Sequence, residues 1–163
     1  MISLNTLDRL ARFCSILGGL VMTAIMLMTC YSLISRNLFD TALIGDFELT
    51  GVGAGAAIAL FMPLCQLKRE NIIVDFFTAN RSETFNFRLD RLGDGLMAVI
   101  FALLAWRCAA AAINAIDTMG ASMLLGFPDW IVFTSMAIPF GITALIAVAQ
   151  MTAQFNPNDK ASA

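Results

Sequence analysis

The chain has 163 residues, of which 59% are hydrophobic and 13% charged, with a net charge of −2. Soluble domains usually carry about 45–50% apolar and about 25% charged residues. This composition excludes a soluble enzyme, a nucleic-acid binder and a disordered chain. What it leaves is a small all-α integral membrane protein crossing the bilayer four times.

The first span is read at about 13–35, where 23 residues pass without a charge. Arg9 and Arg12 precede it in the manner of a signal peptide. The apolar stretch is too long for a signal sequence, however, and no small-residue cleavage site follows. The second span is about 49–67, again free of charge. The third, about 95–116, is interrupted once, by Arg107. The fourth is about 130–155, entered through Pro128 and Asp129. Each is long enough for a bilayer core of about 30 Å, which takes roughly 20 helical residues. The 163 residues are expected to form one four-helix membrane domain.

Lysine and arginine are divided unequally. One side holds Arg9, Arg12, Lys68, Arg69, Arg81, Arg88, Arg91 and Lys160, eight in all, whereas the opposite loops hold Arg36 alone. By the positive-inside rule both termini and the middle loop are expected in the cytoplasm. The outer loops carry Asp40, Asp46, Glu48, Asp117 and Asp129 against Arg36, a net of −4.

Within the middle loop, Asn80 followed by Glu83 resembles a capping pair. Phe85, Leu89, Leu92 and Leu96 recur at helical spacing. The expectation is an amphipathic interfacial helix over about 82–92, lying on the cytoplasmic membrane surface, with a bend at Gly93-Asp94-Gly95. Arg81, Arg88 and Arg91 would meet lipid headgroups. The alternative is one continuous helix whose first turns project from the membrane.

No histidine is present, which removes bis-histidine haem ligation, most zinc catalysis and Ser-His or Cys-His nucleophile pairs. Cys14, Cys30, Cys65 and Cys108 lie in or at the ends of apolar segments, without a CxxC, and read as small buried hydrophobes. No metal and no cofactor are expected. Arg107 is costly in a span and by default a suspect for function. Trp106 beside it, with Trp130 and Tyr31, would form an outer aromatic belt, so the structural reading has Arg107 snorkel outward or pair with Glu48.

Gly51, Gly55 and Ala59 repeat along span two. Ala98, Ala102, Ala105, Ala109 and Ala112 line span three. Small residues let membrane helices approach closely, so both stripes are read as packing faces. Pro63 and Pro139 are possible kink sites. No acidic residue sits mid-span to carry a proton, no polar row lines a path, and there is no nucleotide-binding loop. The chain is not expected to be an enzyme or a self-sufficient transporter.

The order of short motifs adds a family. Ser35-Arg36-Asn37 ends span one and Glu48-Leu49 opens span two. The basic turn Lys68-Arg69-Glu70-Asn71 leads into Ile72-Ile73-Val74-Asp75. Phe127-Pro128-Asp129-Trp130 opens the last span, with Ile138-Pro139 inside it. In this order, over about 36–145, the chain resembles the small, DctQ-like membrane subunit of tripartite ATP-independent periplasmic (TRAP) transporters. Asn71 stands where members often have His, and the Trp they often carry before the acidic pair is missing from Gly45-Asp46-Phe47-Glu48.

The resemblance implies a bacterial inner-membrane subunit without a transport site of its own. Its partners would be a large multi-span membrane subunit, which moves substrate on a sodium gradient, and a periplasmic binding protein, which often captures an organic anion. On this reading Asp40, Asp46, Asp117 and Asp129 help receive the binding protein, because acidic loops go beyond what the positive-inside rule asks for. The competing reading is a cofactor-free membrane anchor for a redox or signalling complex. Recovery of a large polytopic partner or of a soluble enzyme would separate the two.

Overall fold

The structure, a computed structural model, describes residues 4–41, 43–68 and 83–152. Four helices account for nearly all of them: α1 (Leu4–Phe39), α2 (Asp46–Lys68), α3 (Glu83–Asp117) and α4 (Asp129–Thr152). Each contains a stretch long and apolar enough to cross a membrane. A helix satisfies its own backbone groups, which is what an apolar solvent demands of a single spanning segment.

Packing runs in the order α1–α2–α4–α3, with only slight contact between α1 and α4. Side-chain neighbours set the directions. A Cβ on Gly18 would lie 3.2 Å from that of Leu60, and Gly53 faces Ile25, so α1 and α2 are antiparallel. Gly55 faces Met136 and Gln66 bonds Gln150, so α2 and α4 run the same way. Phe101 stacks against Phe140 with ring centroids 5.8 Å apart, and Gly95 faces Met151, so α3 returns antiparallel to α4. The start of α1 and the end of α4 therefore share one end of the bundle. There Leu7, Ala11 and Ile146 form a buried cluster with Leu64, Leu67, Ile142 and Ala149.

The contact seams have coiled-coil spacing. On α1 the buried or half-buried positions include Leu7, Ala11, Cys14, Gly18, Val21, Ile25, Met28, Ser32 and Ser35, alternating steps of four and three residues. On α3 they include Ala98, Phe101, Ala105, Cys108, Ala112 and Ala115, again at threes and fours. A 3.5-residue repeat keeps one face turned to a neighbour that crosses at a shallow angle.

The middle-loop expectation needs correction at one point. The helix does not break at Gly93-Asp94-Gly95: α3 is one continuous helix from Glu83 to Asp117, so residues 83–92 are its first turns. Two glycines would each cost about 1 kcal/mol against alanine in an exposed helix. Here tertiary contact supports the helical segment. Gly95 lies against the Met151 side chain, Asp94 Oδ1 is 3.5 Å from Gln66 Nε2, and Arg91 Nε donates to the Met151 carbonyl at 3.1 Å. Asn80, Arg81 and Ser82 lie outside the described residues. Of Arg88 only the helical backbone is described.

Candidate functional site

At the end of the bundle where α2 and α4 begin, two carboxylates, those of Asp46 and Glu48, are committed to local structure. The backbone turns left-handed at Asp40 (φ 53°), just past the end of α1, a conformation Asp tolerates better than most residues. Asp46 opens α2. Its Oδ2 accepts from the buried Ser32 hydroxyl at 2.6 Å and lies 3.9 Å from Arg36 Nη2, while its Oδ1 accepts from the Phe47 amide at 2.8 Å. These contacts tie the end of α1 to the start of α2.

Glu48 reaches across to the connection between α3 and α4. Its two oxygens accept from the Leu124 and Leu125 amides at 3.1 and 3.3 Å, and the Ser122 hydroxyl also bonds it. The connection is folded on itself. Ser122 and Phe127 exchange bonds, the Asp129 amide donates to the Gly120 carbonyl, and the Gly120 amide closes the last turn of α3 onto the Ala115 carbonyl. Gly45, at φ 84°, packs against Leu125, and a Cβ there would meet the leucine side chain at 2.5 Å. Glu48, Leu49, Val52, Ser122, Leu125, Phe127, Asp129 and Val132 line a half-open pocket of about 40 Å³. At about 10–15 Å³ for each water centre that volume has room for about three waters. Asp117 is exposed and Asp129 half-buried at the same end.

The structure does not bring Glu48 and Arg107 together. The ion pairs among the described residues include Arg12–Asp8 and Arg36–Asp46, and Glu48 is bonded to the α3–α4 connection instead of to Arg107. Helix α4 stands between α2 and α3 in the packing order, so the loop amides at 122–125 reach Glu48 and Arg107 does not. Arg107 is exposed on α3.

The small-residue stripes divide in two. Gly55 meets Met136, and Ala59 is fully buried, but a Cβ on Gly51 would meet nothing within 4 Å. On α3, Ala98 and Ala112 are buried and Ala105 half-buried, whereas Ala102 and Ala109 are exposed. Steps of seven, 98–105–112, mark the seam, and the residues between them turn away from it.

The opposite end carries a polar cluster that composition did not single out. Gln66 and Gln150 are buried, 2% and 7% exposed. Gln66 Nε2 donates to Gln150 Oε1 at 2.9 Å, and Gln150 Nε2 donates to the Gln66 and Leu67 carbonyls at 3.0 and 3.2 Å. Those carbonyls belong to the last turn of α2, where intrahelical donors run out. Gln150 thus caps α2 from α4. Gln66 and Gln150, each near the end of an apolar span, were the available signal.

Neither cluster offers a metal set: among the described residues no group of three or more His, Cys, Asp or Glu is placed to hold an ion. The family model described as "Tripartite ATP-independent periplasmic transporters, DctQ component" matches residues 25–156. No curated relative and no solved structure matches the chain.

Proposed function

The chain belongs to the DctQ family, the small permease component of TRAP transporters, and on that footing we propose that it is the scaffold of a sodium-driven, binding-protein-dependent transporter for organic anions. The family is one of transporter subunits and not of enzymes, and its members work in the inner membrane with a large membrane subunit and a periplasmic binding protein. In this reading the chain enlarges the fixed part of the transporter. Its outer rim helps receive the binding protein, and the large subunit alone moves substrate.

The observation that carries the reading is the separation of charge between the two ends of the bundle. Asp40, Asp46, Glu48, Asp117 and Asp129 gather at one end, with Arg36. Arg9, Arg12, Lys68 and Arg91 gather at the other, where Asp8 and Asp94 also lie. The basic end is cytoplasmic by the positive-inside rule, which sets both termini inside and the acidic rim in the periplasm. An acidic rim steers and orients a partner with a basic patch more than it adds affinity.

Asp46 and Glu48 are held by structural bonds, so the test neutralises the other three. Asp40→Asn, Asp117→Asn and Asp129→Asn together should raise the half-saturation for binding protein in reconstituted uptake about threefold or more. The difference should shrink at high salt, where the screening length falls toward about 3 Å. Unchanged half-saturation with unchanged salt dependence would remove the docking role.

A further inference from the structure

Helix α3 has a second seam that no other described residue of this chain covers. Leu96, Ile100, Leu103, Arg107, Ala110 and Asn114 follow one another in steps of four and three residues, and every one is exposed. This is the spacing of the buried seam on the same helix, turned by roughly a third of a circle around the axis. Two of its members are polar and lie within the span Arg91–Asp117. Among the described residues, neither the Arg107 guanidinium nor the Asn114 amide has a hydrogen bond or ion pair.

Lipid is a poor occupant for this face. Arg107 lies ten residues inside Asp117, about 15 Å along the axis. Side chains on a helix lean toward its N-terminus, which for α3 is away from Asp117. Snorkelling toward the nearer surface therefore works against the helix geometry. Intramembrane Arg and Asn residues normally face a protein partner or a water-filled cavity. A second copy of this chain does not fit either. A two-fold contact would set Arg107 against its own equivalent, and the acidic residues of the spans lie at or near their ends, not level with Arg107.

We infer that this face of α3 is where the chain seats against a transmembrane helix of the large subunit. That helix supplies a carboxylate level with Arg107 and a hydrogen-bonding group level with Asn114, two turns away. The inference rests on the proposed role as a transporter subunit and specifies the surface that role uses. Arg107 then sets the register of assembly, as an isolated polar pair does in an apolar seam.

The test is made in membranes containing the tagged chain and the large subunit expressed together. A benzophenone amino acid is placed at position 103, one turn from Arg107, and in a second variant at position 20, on the exposed side of α1. The expected result is a crosslink from position 103 to the large subunit. Arg107→Leu should weaken co-purification on the order of thirtyfold, as loss of one member of a desolvated pair does, while the thermal midpoint of the chain alone stays level or rises. Crosslinks from position 103 to lipid alone, or to a second copy, overturn the inference. A crosslink to the large subunit from position 20 and none from position 103 overturns the face and keeps the subunit role. If no exposed position captures the large subunit, the subunit role itself falls.

Discussion

Gln150→Leu is the most informative stability experiment the bundle offers. The substitution removes three hydrogen bonds at once: one from Gln66 Nε2 at 2.9 Å and two to the Gln66 and Leu67 carbonyls at 3.0 and 3.2 Å. Side-chain hydrogen bonds between membrane helices average about 0.6 kcal/mol, with a maximum near 1.7. Three of them give about 2 kcal/mol, and the added apolar bulk of leucine offsets part of it. The Gln66 amide keeps its approach to Asp94, which limits the further penalty for a buried donor left unpaired. The expected loss is therefore about 1–2 kcal/mol, read from unfolding of the purified chain in mixed micelles. Gln66→Leu removes the pair bond while leaving Gln150 on the α2 carbonyls, so the double variant should be less damaged than the sum of the singles by roughly 0.5–1 kcal/mol. Full stability in Gln150→Leu, or strict additivity, would refute the account of Gln150 as the cap on α2.

Three further substitution sets test the packing. Gly55→Leu must displace Met136 and should cost about 1–3 kcal/mol, whereas Gly51→Leu enters open space and should leave stability unchanged or raised; thermal midpoints in detergent compare them. Ala98→Leu on the buried seam should destabilise, and Ala102→Leu on the exposed side should not, which the same measurement separates. Asp46→Ala strands the buried Ser32 hydroxyl and should cost about 1–2 kcal/mol, while Asp46→Asn keeps an acceptor and should cost less.

The four spans were legible because charge is so unevenly spread, but their ends were not. Hydropathy registers where charges begin, and a helix need not stop there. Helix α1 starts at Leu4 and passes through Asp8 and Arg12, which bond one turn apart at 2.8 Å, before reaching the apolar stretch. Helix α3 likewise runs through Gly93 and Gly95. The seams were only half legible. In a soluble helix the apolar face marks the core, but here lipid-facing and helix-facing residues are equally apolar. Leu7, Val21 and Ile25 look no different from Leu17, Leu20 and Met26. Of the small residues picked out by spacing, Gly55, Ala59 and Ala98 lie against other helices of this chain, whereas Gly51, Ala102 and Ala109 do not. Charge and a shared outer position offer Arg107 an outward snorkel or a pair with Glu48, and neither records what packs nearest to Glu48. Its amide partners at 124 and 125 belong to a turn whose fold depends on long-range packing that no local pattern records.

The measurement closest to the central claim is sodium-driven uptake in proteoliposomes holding the large subunit, with binding protein supplied outside and this chain present or omitted. The account predicts uptake only when the large subunit, the binding protein and this chain are all present, and none when this chain is reconstituted alone with binding protein. Uptake by this chain alone, or uptake by the large subunit undiminished without it, would contradict the account.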